Sequence, residues 1–333
     1  MKLRRILLLM IGVLTILLPL TNTKAQSTYL NYFPLVYLQE QPETNPQNRS
    51  DSLNWYQTDY LIQNPPLINW SGSHTRCDPG TTSQAFQDAV LTRINYFRAM
   101  AGVPADVTFS EESNRKAQAA AFLMSVNGAL SHNPPTTWTC YSTLAHEGAS
   151  SSNLFLGVYG WDAITGYMKD PGAGNDAVGH RRWILYPQTQ TMGSGDIPPV
   201  SGYNASNALL VFDEHLWEPR PETRDGFVAW PPPGYVPYPV VFTRWSFSYP
   251  DADFSRSTVS MREEGKLLTI SVAPVVVGFG ENTLVWQIKG MDSGQNWPRP
   301  NQDTRYSISI NNVIVNGQTL DFSYEVIIFD PNQ

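Results

Sequence analysis

Apolar and polar positions change their period several times along the chain. Ile6 to Leu20 is an uncharged apolar run, with Lys2, Arg4 and Arg5 before it and a small-residue stretch ending at Ala25 after it. Between residues 26 and 70, Asn, Gln, Pro and Ser dominate and no period of 2 or 3.6 persists, which predicts an arm or linker tethered near its end by LNWYQTDYLI. A helix period then begins. Phe86, Val90, Ile94 and Phe97 recur every three or four residues, with Thr82 or Ser83 as N-cap and Gly102 where the helix stops. A second helix is predicted in SEESNRKAQAAAFLMSVNG. Ser110 caps it, Glu111 and Glu112 suit its positive end, and Gly128 terminates it. Its small face (Ala117, Ala120 and Ala121, with Met124) implies close packing on a neighbour.

Residues 129–200 read as mixed structure: a loop SHNPPTTWTCYS, then AHEGASSSNLFLG, a helical WDAITGYMKD, a Gly-rich turn, and RRWILYP running into TMGSGD. Short helices between loops and a few strands indicate an α+β or layered α-β-α domain. After about residue 205 the helix signal vanishes. Short strand-like runs follow, from ALLVF to FSYEVIIF, separated by turns that include the Asn316-Gly317 hairpin signal. They predict an antiparallel β-sandwich of immunoglobulin-like size. The expected division is therefore a signal peptide over 1–25, an arm over 26–75, a first domain over 76–202 and a β-sandwich over 205–333.

The N-terminal run is about 15 residues, short of the roughly 20 that span a bilayer, so export with cleavage after Ala25 is favoured over a retained anchor. No later segment is long and apolar enough to span. Cleavage removes four basic residues and no acids, taking the formal charge from −7 to −11. An acidic chain with scattered Lys and Arg argues against nucleic acid as a partner. The two cysteines, Cys77 and Cys140, read in an exported protein as one disulfide, with two lone thiols as the alternative.

Five histidines are present. His74 and His215 have no patterned neighbours and read as surface or structural. His132 follows the second helix, where a histidine commonly meets the C-terminal dipole. His146 and Glu147 are adjacent, so on an extended segment they face opposite ways and one at most enters a shared site. His180 stands between Gly179 and Arg181 in VGHRRWILYP. No HExxH, CxxC or GxSxG is present, so no hydrolase nucleophile is indicated.

The order of the motifs is more specific than any one of them. RINYFRAMAGV on the first helix supplies Asn95, Arg98 and Gly102. Ala117 and Ala121 lie on the second helix, and His132 lies in LSH at its end. HEG, GHRRWILYP (Gly179 to Pro187) and the glycines of MGSG (Gly193 and Gly195) follow. This order over roughly residues 80–200 resembles the CAP superfamily, or SCP domain: cysteine-rich secretory proteins, antigen 5 and pathogenesis-related proteins. The bacterial secreted branch is the nearest likeness. The resemblance implies an α-β-α sandwich whose cleft is lined by two histidines and two acids, carried over here as His132 and His180. The first acid is Glu147, in a segment that departs from the family's GEN tripeptide. The second is Asp170, three residues after Tyr167, with Asp162 and Asp176 as competitors; Asp176 precedes His180 by four.

Two imidazoles with one or two carboxylates suit a divalent transition metal, zinc first, with water or substrate completing an open shell; the alternative is acid–base chemistry without metal. Trp183, Ile184 and Leu185 then build the element behind His180. Arg181 and Arg182 either pair with surface carboxylates, the favoured reading, or flank an anionic ligand. The expectation is a secreted, extracellular CAP-domain protein whose cleft binds a metal or a ligand (lipid, glycan or peptide), fused to a sandwich for adhesion, spacing or envelope association. The alternatives are a peptidase-like or envelope-acting hydrolase using His132, Glu147 and His180, and a structural module with a vestigial cleft.

Overall fold

The computed structural model describes Pro46 and residues 48–333; the expected signal peptide and the first part of the arm lie outside the described residues. The end of the arm is helical rather than irregular. Asn48 caps α1 (Arg49–Trp55), which runs into one π-helical turn over Tyr56–Tyr60. Two long helices follow, both bounded as the pattern predicts. Ser83 caps α2 (Gln84–Ala101) and Ser110 caps α3 (Glu111–Asn127), while Gly102 and Gly128 end them in left-handed conformation. Each such N-cap is worth about 1 kcal/mol. The short helices α4 (Thr143–Ser150), α5 (Gly160–Lys169) and α6 (Gly179–Ile184) complete the helical set.

The first sheet has the order β1-β3-β4-β2, from β1 (Thr108–Phe109), β2 (Ser152–Leu156), β3 (Thr191–Ile197) and β4 (Ser206–Leu210). Strand β4 contains the start of ALLVF, read from the pattern as the first strand of the C-terminal set. It instead pairs with β2 and β3 and closes this sheet. Alternation along β4 sends Leu209 to the core of α2 and α5, and Ala208 and Leu210 to the core of α3 and α4. The sheet is thus covered on both faces, an α-β-α sandwich. Helix α3 lies directly on β3, because a Cβ at Gly195 would fall 2.1 Å from the carbonyl carbon of Ala117.

The remaining strands are β5 (Val228–Trp230), β6 (Gly234–Pro237), β7 (Arg244–Ser248), β8 (Ala252–Asp253), β9 (Thr258–Glu263), β10 (Lys266–Leu267), β11 (Ile270–Val272), β12 (Thr283–Ile288), β13 (Thr304–Val315) and β14 (Gln318–Phe329). They form two sheets, β10-β9-β13-β14-β6 with β8 beside β13, and β11-β12-β7-β5. Pairing is antiparallel except between β14 and β6. The β13–β14 hairpin turns at Asn316 and Gly317, both at positive φ. The sheets face each other through aromatic rings: Trp245 against Tyr306, and Phe247 against Phe322.

Every residue of β7 is buried, because its two faces meet different layers. Trp245 and Phe247 face the partner sheet, whereas Arg244 and Ser246 face the helices: Arg181 donates to the Arg244 carbonyl at 2.8 Å and to the Ser246 hydroxyl at 3.0 Å. Phe97 of α2 meets Trp230 of β5 edge to face. The described residues consequently form one compact unit. Cys77 and Cys140 are bonded, joining the approach to α2 with the loop after α3. Among the described residues no helix is long and apolar enough to cross a membrane.

Candidate functional site

The loop after α3 and the start of α6 bring His132 and His180 to one cleft with two lobes, of about 400 and 500 Å³; His132, Asn175 and His180 line both. Helix α5 ends at Asp170 in left-handed conformation. That turn sets the Asp170 carboxylate under the first turn of α6, where one oxygen accepts from the His180 main-chain N–H at 3.1 Å and the other meets Nδ1 at 2.8 Å. Asp170 is 1% exposed, and both of its carboxylate oxygens are bonded to His180. The His132 Nδ1 lies 3.0 Å from the Ala149 carbonyl.

Carboxylates and carbonyls only accept, so both rings carry their proton on Nδ1 when neutral and present the Nε2 lone pair elsewhere. Outer oxygens fixing Nδ1–H in this way are the usual support of a metal-binding or basic imidazole.

The structure brings His132, His180 and Asp170 together. Glu147 is the exception. Its segment is not extended but helical, capped by Ser142. Gly148 presses on the main chain of α3, since a Cβ there would fall 2.1 Å from the Lys116 carbonyl oxygen. Docked so, α4 leaves Glu147 half exposed beside Lys116, 3.4 Å away, and outside the lining of both lobes. His146, on the same helix, packs edge-on to Tyr141. Among the described residues no three His, Cys, Asp or Glu side chains gather as a metal cage, so the four-ligand set does not assemble.

The other candidates lie elsewhere. Asp176 pairs with Arg244 rather than with the His180 ring, and Asp162 occupies the first turn of α5. His215 meets Glu218. His74 is buried, stacked on Tyr203 with ring centroids 3.9 Å apart. Arg181 and Arg182 neither pair with surface carboxylates nor line an anion site. Arg181 is 1% exposed and donates Nε to the Met168 carbonyl, and burial lowers its pKa to about 9. Arg182 donates to the carbonyls of Val276 and Glu281. In VGHRRWILYP the histidine serves the cleft, and the arginines join helix to sandwich.

Several residues around the cleft act through contacts that the sequence does not signal. Asn153 of β2 donates to the His180 carbonyl at 3.1 Å, tying the start of α6 to the sheet. Tyr167, its ring tilted against that of His180 at 5.4 Å between centroids, donates its hydroxyl to Asn207, and burial pushes its pKa well above the usual phenol value. Asn207 in turn donates to Asp196, a carboxylate that burial raises and that Ser194 and the Gly160 N–H also satisfy. Phe279 reaches the cleft from the loop between β11 and β12. No local motif ties a residue so distant in sequence to His180.

Residues 91–204 match the family model described as the cysteine-rich secretory protein family, CAP. No curated protein matches the chain.

Proposed function

Residues 91–204 make this a CAP-domain protein of the cysteine-rich secretory protein family, and from that premise we propose an exported binding protein whose cleft holds a small ligand through the Nε2 atoms of His132 and His180. The observation that carries the reading is the fixation of both rings at Nδ1, by Asp170 and by the Ala149 carbonyl. That arrangement spends polar groups on aiming two lone pairs rather than on satisfying a core. Export is supported by the disulfide, by the basic residues and apolar run that begin the chain, and by the general secretion of CAP-domain proteins.

Zinc is the divalent metal this donor pair favours. Two imidazoles are one donor short of the three protein ligands in open zinc sites, because Glu147 is engaged by Lys116 and Asp170 by His180. Zinc at this pair therefore depends on water or ligand oxygens for the rest of its shell. Bound there, it would polarise a ligand oxygen. Calorimetric titration with zinc is expected to show binding by the parent protein and none by the His132→Ala, His180→Ala double variant. Equal binding by the two proteins, or a well-folded parent that takes up no zinc, refutes the metal reading.

A second reading, an extracellular hydrolase, rests on the Asp170–His180 pair. A buried carboxylate orienting an imidazole with Nε2 free is the arrangement of a general base. Ser152, whose buried hydroxyl has no protein partner among the described residues, lines the same lobe. Turnover of a peptide or ester library that vanishes in His180→Gln supports this reading; turnover unchanged in that variant excludes it.

A further inference from the structure

The loop between β11 and β12 belongs to the sandwich in sequence and to the cleft in space. Arg182, itself buried, donates one Nη to the Val276 carbonyl at 2.8 Å and the other to the Glu281 carbonyl at 2.9 Å. One guanidinium therefore holds the loop at both ends. Between these points the chain reads Val276-Val277-Gly278-Phe279-Gly280-Glu281. Gly278 and Gly280 have φ of 97° and 64°, a region that favours glycine on each side of the aromatic residue. The turn delivers Phe279 onto α6, where a Cβ at Gly179 would fall 2.9 Å from the ring. The Arg182 guanidinium sits over the same ring, 5.4 Å from its centroid. Phe279 is thus held next to the residue that precedes His180, as a built part of the cleft wall.

The smaller lobe has two unlike walls. Phe279, Trp183 and Phe212 form an aromatic wall, with the last two in edge-to-face contact at 4.6 Å. The rest of the lining is largely polar. Asn153 and Asn175 each spend one amide N–H on the carbonyls of His180 and Pro171, which leaves each a second N–H and an Oδ1, and Ser151 and Ser152 add hydroxyls. Ser150 spends its hydroxyl proton on the Glu147 carbonyl, and the two histidines present Nε2 lone pairs. Among the described residues no Lys, Arg, Asp or Glu lines this lobe. Among the described residues the one carboxylate lining the other lobe is Asp170, already engaged by His180.

A lining that both donates and accepts suits a ligand built of hydroxyls, and a lobe without fixed charge selects a neutral one. An aliphatic chain would leave the amide and hydroxyl groups unpaired. A phosphate or carboxylate would meet no Lys or Arg to balance its charge. We infer that this cleft takes a neutral saccharide, its C–H face on Phe279 and Trp183 and its hydroxyls on the asparagines and histidines, with Phe279 as a specificity-determining residue supplied by the sandwich. The inference rests on the cleft being the binding site, as proposed above.

The test is an array of neutral and anionic oligosaccharides, probed with the full exported protein as parent, Phe279→Ala, Phe279→Leu and Phe279→Tyr, with zinc binding measured on each. The expected result is retention on neutral glycans by the parent and by Phe279→Tyr. A loss of about tenfold is expected in Phe279→Ala and Phe279→Leu, with zinc binding by the histidines unchanged. Phe279→Leu keeps an apolar anchor for the loop, so its loss of binding reports the planar face rather than a collapsed fold. Retention only on anionic glycans, or equal retention by parent and Phe279→Leu, overturns the inference. A parent that binds zinc at the histidines and no neutral glycan overturns it while sparing the cleft. A folded parent that binds neither removes the reading beneath it.

Discussion

Gly195→Ala tests how the first sheet is seated against α3. The added Cβ would lie 2.1 Å from the Ala117 carbonyl carbon and 2.2 Å from its oxygen and from the Gln118 nitrogen. Ordinary contact begins near 3.4 Å, so α3 must retreat by about 1.3 Å. The obstructing atoms are helix backbone, and no change of rotamer can remove them. Overpacking of this kind costs about 1–3 kcal/mol, and the upper end applies where only a whole helix can give. The retreat also thins the dispersion contacts of the small α3 face, Ala117 and Ala121, which is completely buried. Against this stands about 0.5–1 kcal/mol from replacing glycine in a strand, since Gly195 is not left-handed. The net expectation is a loss of about 2 kcal/mol, or about 4–8 °C in Tm. Urea unfolding followed by tryptophan fluorescence and a thermal melt would measure it. Gly174→Ala is the control: its Cβ meets nothing within 4 Å and its φ is not positive, so stability should hold or rise slightly. A Gly195→Ala protein as stable as the parent would refute the direct seating of α3 on β3.

Other outcomes follow from the same contacts. Burial lowers the His74 pKa, so the unfolded chain takes up this proton first as pH falls. Its contribution is complete above about pH 6.5 and is lost below it, at up to about 1.4 kcal/mol per pH unit until the folded pKa is reached; His74→Phe should flatten that part of a stability–pH curve. The Cys77–Cys140 bridge closes a 63-residue separation, and Cys77→Ser with Cys140→Ser should cost about 4 kcal/mol in denaturant unfolding. Asp170→Asn keeps the volume of the carboxylate but loses its charge on His180, so zinc affinity should fall about 10- to 100-fold by calorimetry with the fold retained.

How much was legible follows from whether the signal was local. Caps and termini are local, so Ser83, Gly102, Ser110 and Gly128 bound α2 and α3 where the pattern places them. The Asn316-Gly317 turn is equally local. The position of β4 was not, because a strand-like run does not say which sheet it joins; that depends on β2 and β3 lying unpaired on either side. Among the candidate site residues, Tyr167, Asp170 and His180 share a short stretch of chain, and the resemblance names all three with Asp162 and Asp176 left as alternatives to Asp170; the helix end that joins Asp170 to His180 is seen only in the fold. Glu147 comes from the resemblance alone, and nothing in HEG signals that Gly148 docks the segment as a helix on α3 with Glu147 beside Lys116. The roles of Arg181 and Arg182 were hidden for another reason. Their partners are main-chain carbonyls, and a carbonyl has no sequence signature.

The central claim, two imidazoles fixed at Nδ1 and open at Nε2 in one cleft, is tested most directly by nitrogen NMR of the protein labelled with ¹⁵N in its histidine rings, recorded before and during zinc addition. The account predicts the Nδ1–H tautomer for His132 and His180 at neutral pH, and zinc-dependent shifts at the Nε2 of those two rings while His74, His146 and His215 stay in place. Nε2–H tautomers at His132 and His180, or zinc shifts confined to other histidines, would contradict it.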